Sequence, residues 1–317
     1  MVGEKNIQVS NPYPKRIFNI LVLAGISFFL VKSLISGFRD LQNYQFQIDI
    51  GRLGVSTLAF TTMCLFQAAT GVFIIRSMGQ SVDFPNGIRN LLFSLMGKYI
   101  PGKIWVIIFR MQYISDENIS KENIFSATVI EHFFLIGTAM IYGSTVMLFY
   151  NFHPIFLFVL IFSMVGTLFL VLNPSFIFKC INKLLIMFKR NELSSDTKVG
   201  TPFLILLLTS VTWSIFSIAT WFAATSLVDI NISYFFRIAS AHALSVIGGF
   251  LVFFSPGGIG VREGIFVAVN PAESMAISVL LALLLRIIIT VSEIIAFFLA
   301  HTFLIISRRE NDKWTKL

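Results

Sequence analysis

Seven charged residues stand inside otherwise apolar stretches of this chain: Lys98, Lys103, Glu131, Arg262, Glu263, Arg286 and Glu293. Holding one such charge at the centre of a membrane helix costs about 2.5–3.5 kcal/mol, so intramembrane charges mark function by default. His132 and His242 are weaker members of the set. Lys98 and Lys103 flank a Pro101-Gly102 break. Backbone N–H groups freed at the break and two ammonium groups would converge there, a setting that suits an anion such as a lipid phosphate. The competing reading is that these lysines snorkel to the membrane surface or pair with Glu131.

Arg262 and Glu263 follow a second break, Pro256-Gly257-Gly258. Helical neighbours point about 100° apart, so these two would not pair only with each other. Arg262 can offer a bidentate fork to a phosphate or a carboxylate. Arg286 and Glu293, seven residues apart, share one face of the last apolar run, a face that should look into the protein. Glu131 has Thr128 and Thr138 on its face and could pair with Lys98, Lys103 or Arg286. A structural ion pair and a proton or substrate role are both open for it.

These charges need a membrane-embedded frame. The 317 residues are 56% hydrophobic and 13% charged, with a mean hydropathy of +0.82. A soluble domain carries about 25% charged residues, and a single core cannot bury this much apolar surface. The expected fold is therefore all-α and polytopic. Runs of span length fall at about 17–36, 54–75, 124–149, 154–172, 202–227 and 275–305. Residues 1–16 are polar and the run after them exceeds a signal-peptide core, so the first run reads as a retained span.

Two further regions, 88–112 and 236–270, are broken by the Pro-Gly sequences. Pro removes a backbone donor and Gly frees φ, so each break ends a helix. The limbs Ile88–Ile100 and Lys103–Gln112 would be about 20 and 15 Å long, too short for a ~30 Å core. The first region thus reads as a re-entrant hairpin. In the second, the limb from Phe236 to Phe253, about 27 Å, nearly spans.

The order span, span, hairpin, span then occurs twice, with opposite entry sides. Residues 1–172 form the first half and 201–317 the rest of the second, as an inverted repeat with a site expected between the halves. The intervening 173–200 carries Lys179, Lys183 and Arg190 on one face of Phe176–Arg190, which reads as an interfacial amphipathic helix or an ordinary basic loop. Sixteen of the 24 basic residues, Arg110 among them, fall on one side in this arrangement. Both termini are then expected in the cytoplasm and the chain in the cytoplasmic membrane. Small-residue stripes at Ser210, Ser214 and Ser217, and from Ser240 to Gly249, read chiefly as helix-packing seams.

The net charge of +8 sits in loops, where anionic headgroups explain it better than nucleic acid. The two cysteines, Cys64 and Cys180, are far apart, so no Cys-based metal site or disulfide framework is expected, and no cofactor. No HExxH, GxSxG or Walker pattern occurs, so an enzyme is not expected.

The segment Gly97-Lys98-Tyr99-Ile100-Pro101-Gly102-Lys103-Ile104-Trp105, followed by Arg110 and Glu131, and the segment Ser255-Pro256-Gly257-Gly258-Ile259-Gly260-Val261-Arg262-Glu263-Gly264, followed by Arg286, together resemble the flippase-like family built on the lysylphosphatidylglycerol synthase transmembrane region. The resemblance covers essentially the whole chain. It implies lipid handling, without the aminoacyl-transferase domain of the bifunctional synthases, since the chain ends at Leu317. The expected partner is an anionic membrane lipid or a lipid-linked sugar, with an envelope-biosynthesis enzyme as a second candidate. The expected function is a flippase-like transporter with Lys98, Lys103, Arg262 and Arg286 facing the headgroup. In the empty state Glu131, Glu263 and Glu293 would pair with those cations. A membrane glycosyltransferase using Glu131 or Glu263 as general base, or a non-catalytic partner of an envelope synthase, are the alternatives.

Overall fold

The structure is a computed structural model that describes residues 48–100, 104–115, 119–145, 155–187, 190–193, 201–252, 256–258, 260–269 and 275–314. The run at 17–36 and the residues Pro101, Gly102 and Lys103 lie outside the described residues.

Helix α1 (Ile50–Ser77) starts where the Asp49 carboxylate accepts the Arg52 N–H at 3.0 Å. It ends at Gly79, whose φ of 81° a side chain would resist. Its 28 residues rise about 42 Å, enough to cross a bilayer core. Helix α2 (Phe84–Leu95) is capped by Asp83, runs into a 3-10 turn at Met96–Tyr99 and stops. Helix α3 (Trp105–Ser115) follows and packs back on α2. At 12 and 11 residues, neither is long enough to cross alone. Gly97 makes the tight return feasible, since a Cβ there would lie 2.6 Å from the Val106 backbone nitrogen. The first limb starts and ends earlier than the sequence spacing predicts, because Asp83 and Pro85 already start α2 and the 3-10 turn takes up residues 96–99, while the second limb runs slightly later.

Helix α4 (Lys121–Ser144), capped by Ser120, is long and apolar enough to cross. Helix α5 (Ile155–Leu172) exposes large apolar side chains such as Phe158, Phe162 and Val165, as a lipid-facing helix does. At Asn173 the chain bends by 93° into α6 (Pro174–Met187). This is the amphipathic segment expected between the halves. It buries Ile177, Ile181 and Leu185, while Arg190 lies just beyond its end and Phe188 outside the described residues. Helix α7 (Pro202–Thr225) has Pro at its start, where the missing N–H costs nothing. A 3-10 turn at Ile232–Tyr234 leads into α8 (Phe235–Leu251), and the combined run Ile232–Leu251 is long and apolar enough to cross. The first limb of the second broken region therefore has full span length. After a 3-10 turn at Pro256–Gly258 come α9 (Val261–Val269) and α10 (Met275–Trp314), whose apolar part covers Ile277–Ile306. Among the described residues, five helices have the length and composition of a membrane span, or six if the bent α5–α6 pair counts as one. The protein is a multi-pass all-helical membrane protein.

The packing of these helices is symmetric. Exchange α1 with α7, α2 with α8, α3 with α9 and α4 with α10, and every contact among these eight helices has its counterpart. Thus α1–α2 matches α7–α8, α3–α4 matches α9–α10, α2–α10 matches α8–α4, and α1–α10 matches α7–α4. At the centre α1 packs on α7 antiparallel. Asp49 N–H donates to Ser226 O (2.9 Å), Ser56 Oγ to Ala219 O (2.8 Å), and Phe60 meets Phe216 edge-on. An axis that exchanges two antiparallel spans lies in the membrane plane, which is the geometry of an inverted repeat.

The small-residue stripes fall on seams. Tyr142 on α4 donates to Ser210 O or Ser214 Oγ of α7, and Ser240 of α8 donates to Tyr142 O.

Candidate functional site: a charged centre between the two broken regions

The 3-10 turns of the two broken regions touch each other. This contact brings together residues more than 150 positions apart in sequence. Lys98 and Tyr99 sit at the end of the first turn. Gly257 occupies the second with φ 57°, a left-handed conformation that also leaves room for Arg286, whose Nη2 would lie 2.9 Å from a Cβ there.

Two ion pairs fix the centre. Lys98 Nζ is paired with Glu293 Oε1 on α10. The Tyr99 hydroxyl donates to Glu293 Oε2 at 2.9 Å and lies 3.0 Å from Thr290 Oγ1. On the far side, Arg286 Nη1 donates to Glu263 Oε1 at 2.5 Å. Glu263 Oε2 also accepts the Gly260 N–H at 2.7 Å, so one carboxylate caps α9 and anchors it to α10. The α10 face carrying Arg286, Thr290 and Glu293 therefore ties both turns together.

Arg262 is different. It makes no ion pair among the described residues, and its Nε is buried without a hydrogen-bond partner. Its side chain runs beside Gly249 and Gly258, where any Cβ would collide with it. The small residues of α8 thus open the slot that Arg262 occupies.

Two cavities meet here. The smaller, with a cavity volume of about 30 Å³, lies between Tyr99, Ser245, Glu263 and Arg286. The larger, about 190 Å³ on the same measure, is mostly apolar, with Met63, Cys64, Trp213, Phe216 and Phe250 in its wall. Lys98 and Arg262 line both.

Of the residues singled out in the sequence, Lys98, Arg262, Glu263, Arg286 and Glu293 meet at this centre. Glu131 does not. It is 1% exposed and pairs with Arg110, whose Nη1 is 2.5 Å from Oε2, rather than with Lys98 or Arg286. Arg110 is itself 3% exposed and also donates to Ser94 Oγ at 3.2 Å. The charge pattern along the sequence assigns Arg110 to a cytoplasmic surface. The fold instead turns α3 back on α2, which carries it inside. His242 packs among Phe60, Phe216 and Phe266 and shares a hydrogen bond of 2.7 Å with Thr220, a core position at the edge of the smaller cavity. Tyr99 and Thr290 are additions. The sequence signal for Thr290 is only its place on the face between Arg286 and Glu293, and for Tyr99 only that it follows Lys98.

The Arg110–Glu131 pair has a counterpart. In the first repeat, α3 supplies the arginine and α4 the glutamate; in the second, α9 supplies Glu263 and α10 supplies Arg286. Each short helix after a break is thus clasped to the long helix that follows it, with the charges reversed between the halves.

Fold and site define a multi-pass helical protein with two matched broken regions around an intramembrane charge cluster. The chain belongs to the family of the lysylphosphatidylglycerol synthase TM region, whose model matches residues 16–305. That membership makes it a membrane protein of lipid metabolism or transport. A comparison with curated proteins finds no match to the chain.

Proposed function

We propose that this protein is a flippase-like transporter that moves a lipid with an anionic or lipid-linked polar headgroup across the cytoplasmic membrane, with both termini in the cytoplasm. The observation carrying this reading is the meeting of the two broken regions at a cluster of charges beside a mostly apolar cavity. A headgroup would face Lys98 and Arg262 there while its tails stay in lipid. Opening of the site would separate Lys98 from Glu293, since that pair links the first turn to α10. Hydrolysis or group transfer needs a positioned general base, and each carboxylate of the centre is already held by a cation. This favours transport over catalysis.

The test is lipid translocation in proteoliposomes, measured by the loss of fluorescence when labelled outer-leaflet lipid is reduced. With Lys98→Gln and Arg262→Gln combined, translocation of an anionic lipid should fall at least ~10-fold, the loss of one charged hydrogen bond. Unchanged translocation by that double variant would overturn the reading.

A further inference from the structure

We infer that the larger cavity is built for a lipid carrying a single phosphodiester charge, rather than a phosphomonoester or a diphosphate. This rests on the transport reading only for the site's location; its content is the charge the site selects. Among the described residues lining that cavity, the charged groups are Lys98, Arg262 and Glu293. Lys98 and Glu293 neutralise each other. His132 donates Nδ1–H to Thr128 O and stacks on Phe250; with its ring neutral, one positive charge is left over, that of Arg262. The adjoining small cavity adds Arg286 and Glu263, which also cancel. Among the described residues, both counts give one unbalanced cation.

An unbalanced cation in the membrane is costly, and one negative charge removes the cost. A second negative charge would be as poorly matched as the first was well matched. Arg262 has a buried Nε with no acceptor, the donor a phosphodiester oxygen needs, and its guanidinium offers a planar fork to two such oxygens. The rest of the wall is mostly apolar, with Met63, Leu135, Ile136, Trp213 and Val246, which fits the start of a hydrocarbon tail and not a free anion.

Trp213 lies in the cavity wall and reports occupancy. The experiment is a fluorescence titration of the full-length chain in neutral detergent, with short-chain phosphatidylglycerol, phosphatidylcholine, phosphatidic acid and dimethyl phosphate as probes. Phosphatidylglycerol should bind tightest. Arg262→Gln should weaken it by about 10- to 100-fold, the range for a charged hydrogen bond, while Arg262→Lys, which keeps the charge and loses the fork, should fall between. Glu293→Gln adds one positive charge and should shift preference toward the doubly charged phosphatidic acid. Dimethyl phosphate at the same concentration should fail to bind.

Equal affinity for singly and doubly charged lipids, with no reversal in Glu293→Gln, would overturn the charge assignment. Dimethyl phosphate binding as tightly as the lipid would overturn the lipid assignment. Charge-selective binding without translocation in proteoliposomes would remove the transport reading and leave this one standing. Should Arg262→Gln fail to fold, the Glu293→Gln reversal decides alone.

Discussion

Replacing Arg110 by methionine strands the Glu131 carboxylate in a site that is 1% exposed. The pair is buried on both sides, its oxygen and nitrogen 2.5 Å apart, with side chains 4% and 2% exposed. Removing one partner of such a pair costs about 3–5 kcal/mol, because the remaining charge is left without compensation. The lost bond from Arg110 to Ser94 Oγ adds about 1 kcal/mol. Glu131→Gln is milder, since it leaves a cation with Ser94 and Thr128 still beside it. The double variant Arg110→Met/Glu131→Gln removes both charges and should recover about 2–4 kcal/mol of the single-variant loss, the non-additivity expected of a buried pair. Equilibrium unfolding in mixed detergent and SDS micelles, followed by tryptophan fluorescence, measures all three. The charge-swapped chain, Arg110→Glu with Glu131→Arg, is the sharper case. The second repeat already carries its clasp in that order, as Glu263 and Arg286. The swap should therefore be more stable than Arg110→Glu alone. The reasoning fails if Arg110→Met costs under about 1 kcal/mol or if the single effects simply add.

Gly97→Ala places a Cβ 2.6 Å from the Val106 nitrogen, a backbone atom that cannot move aside; a loss of about 1–3 kcal/mol is expected in the same unfolding assay. Tyr99→Phe removes the hydroxyl that serves Glu293 and Thr290; stability should fall by about 1 kcal/mol, with anionic-lipid binding changed less than in Arg262→Gln. Cys64 lines the larger cavity and Cys180 does not. In a Cys180→Ser background, labelling of Cys64 by N-ethylmaleimide should slow when phosphatidylglycerol is bound, and an unchanged labelling rate would place the lipid elsewhere.

The spans and breaks were readable in the sequence because their causes are local. Apolar run length sets the spans, and Pro256-Gly257-Gly258 ends a helix wherever it falls. The cost of intramembrane charge is also local in origin, and it picked out five of the residues that meet at the centre. Partner choice was not readable. Whether Glu131 meets Lys98 or Arg110 depends on how far α3 folds back along α2, and that distance is set by the Gly97–Val106 contact rather than by any run of residues. In the sequence Arg110 reads as a surface residue because it stands near the end of an apolar limb, just before polar residues. Only the return of the chain puts Ser94 and Glu131 around it.

The reversed order of the two clasps has an electrical consequence. A two-fold axis in the membrane plane inverts the direction from long helix to short helix along the membrane normal. Had both halves carried arginine on the short helix, their dipoles along the normal would cancel. With Arg110 and Glu263 on matching helices the charge order inverts too, so under that symmetry the components along the normal add. Moving one charge across the whole membrane is worth about 2.3 kcal/mol per 100 mV. A charge separation of 2.5 Å across a ~30 Å core then feels at most about 0.2 kcal/mol per clasp. Closed clasps barely sense the membrane potential, but any movement that pulls both apart would be biased by it in the same sense.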